Sequence, residues 1–250
     1  MQILQSVKSL IKLLNILILS AEFIKLVSNT HICIMNFLRE NRFLIFLITM
    51  VALFTITPFL ENPVLANLFV TINYTLMLLG GLYAFSDVSN FLKFTTIFFL
   101  FAILIDWIEF LHPTGKILNT IRPLITSAVL TLLLIFTLRS ILRSVEITKN
   151  VIFGALCGYI LIGYIGAFLA MAVSELYPGS FNVAGEFHTM EALYFSFVTM
   201  TTLGYGDILP LTIQAKSITI ILSILGPMYV AILIAMMVGK YASKPDKQLK

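Results

Sequence analysis

The chain has 250 residues, of which 59% are hydrophobic and 11% charged, with 16 basic and 12 acidic side chains. A soluble domain charges about a quarter of its residues to cover its surface, so a soluble enzyme, a nucleic-acid-binding domain and a disordered tail are excluded as the main reading. What remains is an all-α polytopic membrane protein, with the basic excess expected on cytoplasmic loops rather than against nucleic acid. Cys33 and Cys157 each stand alone in an apolar stretch, with neither metal-ligand spacing nor a disulfide framework.

In chain order, residues 1–38 come first. Leu10, Leu13, Leu14, Leu17 and Ile18 recur at helical spacing among Lys8, Lys12, Glu22 and Lys25. This predicts an amphipathic helix lying on the inner membrane surface, in preference to a seventh span or a cleaved signal. Six apolar runs follow, each near the roughly 20 residues a crossing helix needs. They are Phe43 to Leu60, Val64 to Ser86, Phe91 to Leu111, Thr120 to Leu142, Asn150 to Ser174 and Ile213 to Gly239. Asp106 and Glu109 near the end of the third run are expected at the interface or facing protein, with nothing in the fourth run requiring them within the membrane.

The segment from Glu175 to Pro210 differs. It holds Pro178, Gly179, Gly185, Gly204 and Gly206, and its apolar centre, from about His188 to Thr201, is too short to cross. This predicts a re-entrant element: a half-helix enters and irregular backbone returns. Unpaired backbone groups cannot face lipid, so such a segment is buried in protein or lines a watery path. With six full spans and a cytoplasmic amino terminus, thirteen of the 16 basic residues fall inside and only Lys116, Arg122 and Lys216 outside, as the positive-inside rule requires. Both termini are then cytoplasmic, and Glu175, Glu186, Glu191 and Asp207 lie on the outer side.

The re-entrant segment ends in Thr201-Thr202-Leu203-Gly204-Tyr205-Gly206-Asp207. This resembles the Thr-Val-Gly-Tyr-Gly selectivity filter and trailing aspartate of the tetrameric potassium-channel superfamily, with Leu203 in the valine position. The resemblance is strong over about Val151 to Tyr241 and weak elsewhere. It implies a homotetramer that carries potassium passively, hence no enzyme and no organic cofactor. Its partners are then K+, membrane lipids and further copies of the chain, with room for a regulatory subunit and no nucleic acid. A bacterial-type inner membrane is the implied location.

Potassium passing a narrow filter must exchange its hydration shell for rings of backbone carbonyls. The carbonyls of Thr202, Leu203, Gly204 and Tyr205, with the Thr202 hydroxyl, are the candidate ligands. Gly204 and Gly206 are expected in left-handed dihedrals that turn successive carbonyls one way. Asp207, Val198, Thr199, Thr201, Tyr194 and Phe195 are the candidate supports, the aromatic side chains with Phe197 forming a cuff. Some bacterial relatives place a glutamate where this chain has Val198, so Asp207 needs another partner, Tyr194 or water. Gly226 and Pro227 in the last run are the candidate gating hinge.

The chain therefore divides into residues 1–38, an interfacial helix; 39–145, a four-helix membrane domain; 146–241, a pore domain; and 242–250, a short basic tail. The stretch Thr126 to Leu138 is uncharged, so the four-helix domain lacks the repeated arginines of a voltage sensor. The competing expectations are a poorly selective channel of the same build, a potassium-transporter component and a non-conducting subunit.

Overall fold

The computed structural model describes residues 41–84, 91–111, 116–144, 146–183 and 187–242. The expected interfacial helix at 1–38 and the tail beyond residue 242 lie outside them. Among the described residues seven α-helices succeed one another: α1 (Arg42–Ile56), α2 (Pro63–Ala84), α3 (Phe91–Leu111), α4 (Lys116–Arg143), α5 (Lys149–Leu176), α6 (Thr189–Met200) and α7 (Ile213–Ala242). One isolated β-bridge, Phe181 with Pro210, is their non-helical pairing. Five segments are long and apolar enough to cross a membrane: α1 with the 3-10 turn Thr57–Phe59, and the apolar parts of α2, α4, α5 and α7. α3 has 21 residues, about 31 Å at 1.5 Å per residue, but its sequence includes Lys93, Asp106 and Glu109.

Local chemistry sets the helix limits. α1 gives way to the 3-10 turn where Pro58 offers no backbone donor. Asn62 caps α2, its Oδ1 accepting from Val64 N–H at 2.9 Å, with Pro63 in the first helical position. α4 begins at Lys116, ahead of the expected Thr120, and runs through Pro123 at the loss of one intrahelical bond.

The core is continuous from α1 to α6. Phe46 and Met50 of α1, Met77 and Leu78 of α2, Phe99 of α3 and Leu130 and Leu133 of α4 are buried with Cys157, Leu161 and Tyr164 of α5 and Leu193 of α6. α5 is the hub. Its Tyr164 hydroxyl donates to the Met50 carbonyl at 2.7 Å, and Cys157 Sγ lies 3.4 Å from the Phe43 carbonyl. Small residues let neighbours approach it closely, as is common between membrane helices. A Cβ at Gly158 would strike the Tyr229 hydroxyl, one at Gly163 the Phe197 ring, and one at Gly166 Leu222 and Ser196.

One expectation needs correction. Asp106 is buried and faces protein, and α4 does supply its counter-charge: Arg122 Nη1 lies 3.9 Å from Asp106 Oδ1. A carboxylate removed from water requires such a partner. Further along α4, Thr137 is buried and its hydroxyl donates to the Leu133 carbonyl at 2.8 Å.

Candidate functional site

α6 has 12 residues, about 18 Å, well short of a hydrocarbon core of about 30 Å. The chain arrives at α6 and leaves the segment after it at the same end. Leu211 N–H donates to the Ser180 carbonyl at 2.8 Å, the Ser180 and Thr212 hydroxyls are 3.0 Å apart, and the Phe181–Pro210 bridge lies beside them. α6 and residues 201–212 are thus an in-and-out excursion between α5 and α7.

The helix terminus prepares the backbone that follows. Thr201 is the C-cap in right-handed geometry, and Thr202 after it has φ +62°. Thr202 N–H donates to the Thr199 carbonyl at 3.0 Å and Leu203 N–H to the Val198 carbonyl at 3.1 Å. These two bonds define a Schellman motif with threonine in the place glycine usually takes. Gly204 N–H also donates to the Val198 carbonyl, at 3.2 Å. Gly204 and Gly206 have φ +53° and +81°. Positive φ therefore falls on every second residue, 202, 204 and 206. Alternating left- and right-handed dihedrals turn successive peptide planes so that carbonyls gather on one side and N–H groups on the other. The N–H groups of Thr202, Leu203 and Gly204 are bound back to α6. Among the described residues, none of the carbonyls of Thr202 to Tyr205 accepts a backbone hydrogen bond. Leu203 and Tyr205 are 56% and 68% exposed in the single chain.

The far end of this ribbon is held from two elements. The Tyr194 hydroxyl of α6 donates to Asp207 Oδ2 at 2.6 Å. That hydrogen bond, helped by the backbone N–H groups of Asp207 and Ile208, holds the Asp207 carboxyl below the usual carboxylate range. From the loop after α5, Asn182 Nδ2 donates to the Asp207 carbonyl at 3.1 Å while its Oδ1 accepts from Leu209 N–H. Sequence reasoning had offered Tyr194 as one of two partners for Asp207. It missed Asn182 and Ser180, because a polar residue in a turn carries no signal of a partner some 25 positions on.

The three α6 aromatics point different ways. Tyr194 reaches Asp207. Phe195 is buried edge-on against Phe181, centroids 5.0 Å apart, and Phe181 stacks on Phe187 at 4.5 Å. Phe197 meets Tyr164 of α5 edge-on at 6.2 Å and Phe54 of α1 at 5.7 Å. Within one chain, Phe195 and Phe197 pack behind α6, and Tyr194 alone of the three bonds to the ribbon. The Thr201 hydroxyl donates to the Phe197 carbonyl at 2.7 Å, and Val198 contributes through its carbonyl. At the inner end of the ribbon, Gly226 of α7 lies directly under the Met200 carbonyl, where a Cβ would collide with backbone. This close approach was not legible from the glycine's mid-helix position. Among the described residues no three His, Cys, Asp or Glu side chains converge as a metal site.

Residues 151–242, from α5 to the end of α7, match the model of a family described as ion channel. The chain is also similar to two pore potassium channel c of Oryza sativa subsp. japonica, with 44% identity over 77 residues, covering 29% of this chain and 17% of that protein. The chain thus spans only a small part of that relative's length. No solved structure matches. Both matches are to channels, and the chain is classed with them as non-enzymatic.

Proposed function

We propose that the chain is one subunit of a homotetrameric potassium-selective channel, conducting passively and without voltage-sensor gating. The observation that carries the reading is the ribbon from Thr202 to Gly206. Positive φ alternates along it, its first three N–H groups are tied behind to α6, and its carbonyls have no backbone partner among the described residues. Such carbonyls can replace the hydration shell of a potassium ion. Thr202, Leu203, Gly204 and Tyr205 supply the oxygens, and the Thr202 hydroxyl adds a ligand at the inner mouth. The carboxyl end of α6 directs its partial negative charge towards the inner vestibule.

One ribbon cannot encircle an ion. The exposed flanks of Leu203 and Tyr205 and the irregular backbone between them cannot face lipid, and three further copies around an axis cover them. α7 supports this arrangement: it buries Ala215, Leu222 and Gly226 in its own chain and leaves Ile221, Ile224 and Met228 for neighbours or lipid. In this reading six helices cross, α6 is the re-entrant pore helix and both termini are cytoplasmic. Gly226 and Pro227 are the proposed hinge. Bending there moves α7 against the base of the filter at Met200. The membrane is of the bacterial inner type in our reading.

Flux in proteoliposomes tests the function. Purified protein is expected to pass K+ and exclude Na+, and Gly204→Ala or Tyr205→Leu to abolish that preference. Equal K+ and Na+ flux would make it a poorly selective channel. Well-assembled protein that passes neither ion would make it a non-conducting subunit.

A further inference from the structure

Asn182 touches the outer return of the ribbon from a different element and has no part in the function argued so far. Both halves of its amide are engaged, two residues apart: Oδ1 takes Leu209 N–H, and Nδ2 gives to the Asp207 carbonyl at 3.1 Å. The orientation of the amide follows from chemistry, because Leu209 N–H can only donate and the Asp207 carbonyl can only accept. Asn182 N–H adds a third bond, to the Leu209 carbonyl at 3.2 Å. Neighbours fix the loop that presents it: Ser180 is buried with its hydroxyl on the Tyr177 carbonyl at 2.6 Å, and Phe181 is buried against Phe195.

We infer that Asn182 is the positioning residue that holds the outer end of the filter open. The inference rests on the carbonyl-filter reading above. Asp207 directly follows Gly206, whose φ of +81° belongs to the filter's alternation. Its side chain is tied to α6 by Tyr194, and its carbonyl is tied to the α5–α6 loop by Asn182. Either tie alone leaves the Asp207–Ile208 peptide free to rotate; the two together fix it. When Asn182 lets go, that peptide turns and the outermost filter carbonyls lose their aim. An ion in the outer filter opposes the turn, since a ligand stabilises the conformation that binds it. The amide is required because an acceptor and a donor must sit side by side.

The test compares wild-type protein with Asn182→Ala and Asn182→Asp in planar bilayers, at low and high external K+. The aspartate keeps the acceptor for Leu209 N–H but loses the donor and sets negative charge against the Asp207 carbonyl. Both variants should open with K+ selectivity, and their currents should decline faster than wild type at low external K+, on the order of tenfold for hydrogen bonds of this kind. High external K+ should largely erase the difference. A decline like wild type in N182D, or a fast decline indifferent to external K+, would overturn the inference. Amide hydrogen exchange keeps it falsifiable apart from conduction: both variants should exchange faster across residues 206–209 when K+ is removed, and unchanged exchange there would also overturn it. Wild-type selectivity is a separate outcome that judges the filter reading alone.

Discussion

Thr202 shows how one residue meets two demands. α6 must end, and a Schellman terminus needs a left-handed residue at this position. The ribbon needs the same dihedral to start its alternation. Glycine would satisfy both but carries no hydroxyl. Threonine instead accepts the left-handed cost of roughly 1–2 kcal/mol and keeps an oxygen at the inner mouth. Asp207 makes a second point at this scale. Because Tyr194 depresses its carboxyl's pKa, the tie between α6 and the filter's outer end is fully present above the ordinary carboxylate value. It is lost as outer pH falls through the depressed value. Tyr194→Phe should move that loss to higher pH, so its potassium flux should fail in milder acid than wild type. Flux titrated against external pH reads this, and identical profiles would remove the Tyr194–Asp207 tie from the account. Gly204 and Gly206 could be read from the sequence because glycine signals left-handed backbone. Thr202 could not, since its dihedral is imposed by the helix end. Asn182 could not, since its partners meet it only after the chain folds back.

At the scale of elements, close approach governs the pore module. Gly226→Ala should push α7 away from the end of α6, costing about 1–3 kcal/mol as overpacking does. A thermal unfolding midpoint unchanged from wild type would show that the Met200 contact does not constrain the helix. Gly158 plays the same part higher in the contact between α5 and α7, where Tyr229 reaches across to the Ala155 carbonyl at 2.7 Å. The inner ends of α4 and α7 are also joined. Lys240 Nζ donates to the carbonyls of Ile141 at 2.9 Å and Ser144 at 2.7 Å, where α4 leaves carbonyls without helical partners. Lys240→Met should lower stability by about 1–2 kcal/mol, in the range of hydrogen bonds to a charged group, and chemical denaturation in detergent measures it. The helices themselves were mostly legible, because apolar runs of the right length are hard to hide. α3 was the harder case: its charged residues blur the crossing pattern, and the Arg122 that neutralises Asp106 lies on another helix, so no pattern along α3 alone discloses it.

Over the whole molecule, the connection between α4 and α5 constrains assembly. Residues 144–148 separate the two helices, and so few residues reach at most about 17 Å. α4 therefore packs on α5 of its own chain, as Ile141 does against Gly154. Cysteines replacing Ile141 and Gly154, in a background without Cys33 and Cys157, should oxidise within single chains. Bands of linked subunits on a non-reducing gel would instead show the four-helix domain exchanged between neighbours. The uncharged middle of α4, from Thr126 to Leu138, gives the membrane field little to move, so steady current should vary with voltage far less steeply than a sensor-bearing channel demands. The central claim is that backbone oxygens of residues 202–205 hold the conducted ion. Anomalous diffraction from tetramers crystallised with Rb+ in place of K+ tests it most directly. The account predicts a row of peaks on the fourfold axis, ringed by the carbonyls of Thr202, Leu203, Gly204 and Tyr205. An axis without peaks in a well-ordered tetramer, or Rb+ bound only to side chains elsewhere, would contradict it.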